Sequence, residues 1–522
     1  MSATMEMKEM KRDGAVHDSA VAPPAETPHI RPPEEEPPLP YTRRETWFIV
    51  LIIAVAGLFS PLPANIYFPA IPTLTGVFHK STSDLNLTVT VYLILQGISP
   101  MVWGPVSDFY GRRPTYLICF IILVMSCLGL ALVPTNAFWL LLLLRCLQSA
   151  GCSSTTALGS GVIGDISHRK DRGGYYSAFN LGPQVIIAAP VIGPILGGAL
   201  AGGLGWRSIF WFLFILSSSS WLFLLCFLPE TRRTDVASRN AFTKLIYTPI
   251  IPVVKRSQAS INSAQPTTNT PATSTASPHT PARTRIRNPL PLFLNPAVSL
   301  ALAFTAVIYS VWYCVTATIS SAFAAKYPFL TEADVGLCYL PIGVGMFLSS
   351  AVHGRILDAE YRRMRQRWLV GRGPDADGGK GPVGFPIEHA RLRLIPLHIL
   401  VFAGCVIGWG WSLEAGVHLA APLCLSLPIG YTFNVVLNTT MTLMIDIEHS
   451  QSSSVTACTN LARCSLAAVL TAVIDHITSA IGYGWTYVLF GGLSLLMIPL
   501  IYLEILMGPR WRARREARKA QA

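Results

Sequence analysis

Asp108, Arg112 and Arg113 stand together in "GPVSDFYGRRP", residues 104–114, between two long apolar runs. Arginines four and five residues after an acid can pair with it across one turn of helix. A charge at the end of an apolar helix is costly unless it has such a partner. Asp165, which closes another apolar run, offers the same arginines a second carboxylate. The chemistry open to this set is a releasable ion-pair cluster that clamps the ends of several helices. A simpler reading, two positive charges and a turn built on Gly104, Gly111 and Pro114, accounts for the arginines but not for Asp108, because acids contribute little to membrane orientation.

A second set of residues could bind rather than clamp. Arg145 lies about eight residues into its apolar run, roughly 12 Å deep at 1.5 Å per residue, and Gln148 follows one turn later on the same face. Arg463 lies near the middle of another run. Ionisable groups in such runs mark ligand pathways by default, although each arginine could instead hydrogen-bond carbonyls between helices. Tyr431, Asn434 and Asn438, spaced by three and four, form one polar stripe. Asn65, Tyr92, Gln96, Gln184, Tyr309, Trp312 and Tyr313 fall in further runs. Aromatic residues there more often pack than bind, but amides and rings together suit an amphiphilic or weakly acidic organic molecule.

Long apolar helices must carry these residues, and the composition supplies them. Of 522 residues, 51% are apolar and only 13% charged, about half the charged fraction of an ordinary soluble chain. A hydrocarbon core about 30 Å thick needs about 20 apolar residues per helix. That divides the sequence into twelve spans, at about 47–70, 86–106, 115–134, 137–164, 174–202, 207–228, 296–323, 334–354, 395–412, 416–446, 453–480 and 484–507. The expected class is an all-α membrane protein.

The net charge of +12 could suggest nucleic acid. With both termini placed in the cytoplasm, however, nearly all of the 40 Lys and Arg fall on that side, leaving Lys80, Arg207 and Lys326 opposite. This is the positive-inside asymmetry and not a nucleic-acid footprint. The expected organisation is a disordered tail over 1–46, a bundle over 47–229, a basic Ser/Thr/Pro-rich linker over 230–295, a second bundle over 296–507 with a long cytoplasmic loop at 355–394, and a basic tail over 508–522 facing membrane lipid. No cleavable signal peptide is visible in the polar first 40 residues. The eleven cysteines show neither metal-ligand spacing nor a disulfide framework. No metal and no cofactor are expected.

The sequence also repeats itself. "GPVSDFYGRR" at 104–113 matches "GRILDAEYRR" at 354–363, aligning Asp108 with Asp358 and Arg112 with Arg362, with Tyr361 in place of Gly111. "GDISH" and "IDIEH" align Asp165 with Asp446. Two homologous six-helix bundles with a site between them near the midplane are expected.

"GPVSDFYGRRP" resembles the signature between the second and third spans of the major facilitator superfamily. In that family the Asp and Arg form a cytoplasmic gate completed by an acid on the fourth span, which implies gate roles for Gly104, Asp108, Gly111, Arg112, Arg113 and Asp165. "LLLRCLQSAG", with Arg145 and Gln148, resembles the fourth-helix motif of drug:proton antiporters. "APVIGPILGGAL", with Gly193, Pro194, Gly197 and Gly198, resembles the fifth-helix motif of antiporters and exporters. "LFSPLPANIYFPAIP", "PETRR", "GLCYLPIGVG" and "FPIEHARLRL" resemble fungal twelve-span exporters of the quinidine-resistance and citrate-exporter kind.

The resemblance implies a monomeric plasma-membrane exporter of small organic molecules that exchanges them for protons. The alternative is a facilitator or nutrient importer on the same fold. No acid stands in the middle of a first-half span, so no proton carrier is evident there. Asp475 and His476 lie near the outer end of the eleventh span and Glu504 at the inner end of the twelfth. Relatives that export citrate carry an Arg before the fifth-helix "GP", and "GPQVIIAAPVIGP" here has none.

Overall fold

The computed structural model describes residues 41–167, 175, 179, 189–232, 247–251, 290–370, 386–447 and 452–521. Among the described residues every regular element is helical. Nine stretches are long and apolar enough to cross a membrane, and Ile192–Leu204 is a shorter apolar helix. One stretch, Ser454–Arg515, turns at Gly482 (φ 79°) and holds two passes. The fourth pass is split into Phe138–Cys152 and Thr155–Ile166, and the fifth is described from Ala189 to Leu204. Counted this way, the described helices make twelve passes.

The other passes are the second at Thr82–Tyr110, third at Arg112–Leu132, sixth at Arg207–Phe227, seventh at Pro296–Lys326 and tenth at Ala420–Ile447. The ninth joins Ile387–Leu392 to Ile395–Glu414; the eleventh and twelfth fall either side of Gly482. Leu51, Val102, Met125, Ile215 and Leu397 are exposed on the outside, where hydrocarbon is the fitting solvent.

Two passes depart from simple helices in ways that matter. The first runs from Arg43 to Phe78 and is broken around "SPLPANIYFP", where Pro61, Pro63 and Pro69 remove helical hydrogen bonds. Such a break is tolerated at membrane depth only where other protein groups satisfy the backbone. Here Asn65 Nδ2 donates to Pro61 O at 2.7 Å, and Arg145 Nη1 to Pro63 O at 3.2 Å. The eighth pass bends after Leu337, adopts π geometry over Ser349–His353 and continues as helix Gly354–Val370. Residues 355–370, expected in a loop, are therefore helical; "EYRRMRQRWL" is rich in good helix formers. Residues 371–385 of that expected loop lie outside the described residues, as do most of the tail and linker.

Candidate functional site

The third pass starts at Arg112 behind Gly111, whose φ of 114° suits glycine and whose own side supplies no cap. The cap comes from the sixth pass's end. Glu230 accepts from the backbone N–H of Arg112 (3.0 Å) and of Arg113 (3.1 Å), placing an anion on the positive helix terminus. A Cβ at Gly111 would come within 2.5 Å of Glu230 Oε2, so this glycine answers both to backbone and to space. Burial pushes the Glu230 carboxyl above its ordinary value, opposed by the N–H groups of Arg232, Arg112 and Arg113.

With its backbone so held, the Arg112 guanidinium reaches Asp108 at 2.7 Å, Asp165 at 2.9 Å and Ser107 Oγ at 2.6 Å. Gly161 on the fourth pass leaves the room: a Cβ there would lie 2.6 Å from Arg112 Cζ. Arg113 points elsewhere, fully buried, and donates to the carbonyls of Leu225 (2.7 Å) and Leu228 (3.4 Å). The two arginines therefore differ: Arg112 joins the acids, and Arg113 ties the third pass to the sixth. A Cβ at Gly104 would meet nothing within 4 Å, and nothing in the structure explains that glycine. Glu230 was not singled out by sequence, although it is the Glu of "PETRR". Glu230→Ala is expected to lower stability by about 1–3 kcal/mol by taking the acceptor from the N–H groups of Arg112, Arg113 and Arg232, read as a lower melting temperature of purified protein, with Glu230→Gln losing less.

The second half builds a comparable cluster from a different arginine. Asp446 on the tenth pass pairs with Arg391 at the start of the ninth, at 3.1 Å. Arg391 also lies over the Tyr361 ring, 4.4 Å from its centroid. The repeat aligns Arg362 with Arg112, but Arg362 is exposed, and Arg391, in the last turn of the short helix Ile387–Leu392 that opens the ninth pass, makes the pair with Asp446 instead. Tyr361, which departs from the first-half glycine, supplies the surface on which Arg391 rests. The side chain of Asp358 lies outside the described residues. Both clusters sit at one end of the bundle, called here the motif end.

Inside the bundle, Arg145 is 1% exposed. Its guanidinium donates to Gln148 Oε1 at 2.6 Å as well as to Pro63 O, and its carbon lies 4.2 Å from the Tyr67 ring centroid and 4.5 Å from that of Tyr92. Its Nε has no partner, and no carboxylate pairs with it among the described residues. A buried cation held by rings and a carbonyl is incompletely compensated. Tyr92, Arg145 and Tyr313 interact electrostatically, which brings the second and fourth passes to the seventh. Tyr313 lies 5.8 Å from Tyr309 and 5.6 Å from Phe68 between ring centroids. Tyr309 in turn faces Arg463 of the eleventh pass at 4.9 Å. Gln96 Oε1, Trp312 Nε1, Tyr313 Oη and Arg463 Nε are buried with no hydrogen-bond partner among the described residues. Two arginines thus flank an aromatic wall with several unused polar atoms, which is what an anionic or polar ligand needs.

Other expected site residues are used otherwise. Asn434 Nδ2 donates to Met346 O (3.0 Å) and Ser350 Oγ (2.8 Å), where the eighth pass becomes a π-helix, and Asn438 donates to Asn434 Oδ1 (3.2 Å). Tyr431 stacks near His398 at 6.3 Å. That stripe holds the tenth pass to the eighth and ninth, and is not part of the Arg145 wall. Asn65 serves the break in the first pass. Gln184 lies outside the described residues.

The glycine cluster of the fifth pass works by contact. A Cβ at Gly193 would approach Asn65 at 3.0 Å, one at Gly197 Ile66 O at 2.1 Å, and one at Gly198 Glu332 O at 2.4 Å. Gly336 returns the contact against Pro194 O. The fifth pass is thereby wedged between the broken first pass and the eighth pass of the other half, at the end opposite the motifs.

The major facilitator superfamily model matches residues 53–472. Citrate exporter 1 of Aspergillus niger is 34% identical, over 98% of this chain and 95% of its own length. The MFS antiporter QDR2 of Candida albicans is 32% identical over 90% of each chain. The solved human organic anion transporter MFSD10 (TETRAN) covers 88% of this chain at 17% identity and a TM-score of 0.49, a likeness too loose to bear on function. Twelve helical passes in two halves, the paired motifs and the length of these matches agree: this multi-pass chain, a transporter of small molecules and not an enzyme, belongs to the major facilitator superfamily.

Proposed function

We propose that the chain exports a small organic anion or weakly acidic amphiphile from the cytoplasm in exchange for protons, by alternating access of the site between its halves. The motif end faces the cytoplasm in this reading, supported by the basic residues gathered there, and the plasma membrane is its location. One observation carries the substrate class: Arg145 is buried among tyrosines with no acid paired to it among the described residues. An anionic guest supplies the missing charge. Relatives named as a citrate exporter and as antiporters support the direction and the coupling. Domain boundaries follow the halves, with bundles at 47–229 and 296–507 joined by the 230–295 linker. Arg112 with Asp108 and Asp165, and Arg391 with Asp446, act as the cytoplasmic closure within each half.

A proton-motive force of roughly 150 mV supplies about 3.5 kcal/mol per proton, enough for several-hundred-fold accumulation. Overexpressing cells loaded with a labelled organic acid are expected to expel it against its gradient and to stop when a protonophore is added. Efflux that never exceeds the acid's own gradient and ignores the protonophore identifies a facilitator instead.

A further inference from the structure

Two hydrogen bonds join the halves among the described side chains, and both lie at the end opposite the motifs. Thr73 at the end of the first pass donates to Glu332 at the start of the eighth. Asn86 Nδ2 on the second pass donates to Asp475 Oδ2 on the eleventh at 2.7 Å. Glu332 is half-buried in the first turn of its helix. Asp475 stands seven residues before the Gly482 turn, about 10 Å inward at 1.5 Å per residue.

The setting of Asp475 is suited to a group that changes charge. Asn86 is 5% exposed, so the acid's partner is inside the seam between halves. The titratable groups that act on it are His476 on its own helix, Cys314 of the seventh pass, and Tyr483 and Tyr487 of the twelfth. No Arg or Lys pairs with it among the described residues. An ionised carboxylate accepts a stronger hydrogen bond from the amide than a neutral acid does. The neutral acid, in turn, is less costly to bury among the tyrosines. The same seam is tight further along, where Gly97 packs on Asn460 O, Leu461 and Cys464, so opening this end must separate Asp475 from Asn86.

We propose that Asp475 is the residue that binds the exchanged proton, with Asn86 holding its ionised form while this end is shut. The inference rests on the antiport reading. When substrate opens this end, the Asp475 carboxylate meets outside water and takes up one proton. The neutral acid then returns into the seam; when the motif end opens, it gives its proton to water entering from that side, and the carboxylate accepts again from Asn86 Nδ2. Glu504 offers a contrast: it is fully buried but faces Glu388 and lies in the packing of the ninth and twelfth passes within one half.

The test uses purified protein in vesicles holding a pH-sensitive dye and a labelled organic acid, with Asp475→Asn, Asn86→Ala and Glu504→Gln beside the wild type. Asp475→Asn is expected to keep substrate-for-substrate exchange within about twofold, since no net proton moves. Its substrate-evoked proton flux and pH-driven accumulation are expected to fall at least about tenfold. Asn86→Ala retains coupling, with its pH midpoint moved upward by about one unit, a tenfold change in proton affinity. Glu504→Gln couples as wild type does. Wild-type coupling in Asp475→Asn overturns the inference, as does an equal loss of exchange and coupling, which marks a structural residue. If the wild type itself moves no protons with substrate, the antiport reading falls first and this assignment with it.

Discussion

Arg112→Ala is expected to reduce transport at least about tenfold while the protein still reaches the membrane. Among the described residues, the guanidinium is the one group that touches Asp108, Asp165 and Ser107 together. Without it Asp165 keeps a hydroxyl, Thr231 Oγ1, at 3.4 Å. Removing one member of a buried pair costs about 3–5 kcal/mol; the Asp165 side chain is 26% exposed, and about 1–3 kcal/mol is the fitting scale after solvent screening. The middle of that range, about 2 kcal/mol, shifts a gate equilibrium by more than tenfold, because 1.4 kcal/mol is a factor of ten.

The two acids are not equal partners. The Asp108 side chain is 57% exposed, so Asp108→Asn is expected to do less harm than Asp165→Asn, whereas the motif alone would put the weight on Asp108. Arg112→Lys recovers only part of the function, because an ammonium cannot span two carboxylates in a fixed fork. Transport rate per molecule at the cell surface checks all four variants. Asp108→Asn as damaging as Arg112→Ala would contradict this ordering.

Much of the architecture was legible because bilayer physics leaves few options. Apolar runs of about 20 residues and one-sided basic charge specify a helical bundle, and the run of passes from the second to the twelfth follows them. The clusters were half legible. Asp165 and Asp446 could be paired by the repeat, but Arg391 could not be told from Arg362, because the long insertion between the eighth and ninth passes separates the acid-bearing helix end from the short helix that supplies the arginine. Its signal was "FPIEHARLRL", which carries that short helix. Caps donated by a distant helix leave no local pattern: Glu230 reaches Arg112 and Arg113, and Glu414 reaches Tyr483 N at 2.8 Å. The tenth-pass asparagines show the reverse case. Their spacing announces a polar face correctly, but spacing cannot say whether that face meets a ligand or, as here, a carbonyl and a hydroxyl of the neighbouring eighth pass.

The second large effect concerns Arg145. Its removal leaves a guest anion without its cation in a low-dielectric interior, which costs about 2–5 kcal/mol of binding. Neutral and cationic guests lose no such pair and are expected to change much less. Arg145→Lys keeps a charge but loses the flat face that lies on Tyr67 and Tyr92 and the donor geometry toward Gln148, so it should fall between the two.

The central claim, that Arg145 serves an anionic substrate and not only the packing around the broken first pass, is tested most directly by one comparison. Binding of one organic acid and one cationic drug is measured by calorimetry on purified wild type and Arg145→Ala. The account predicts at least a thirtyfold loss of affinity for the acid (about 2 kcal/mol) and no more than about threefold for the drug. Equal losses for both, with a lower melting temperature, would contradict it and make Arg145 a structural residue.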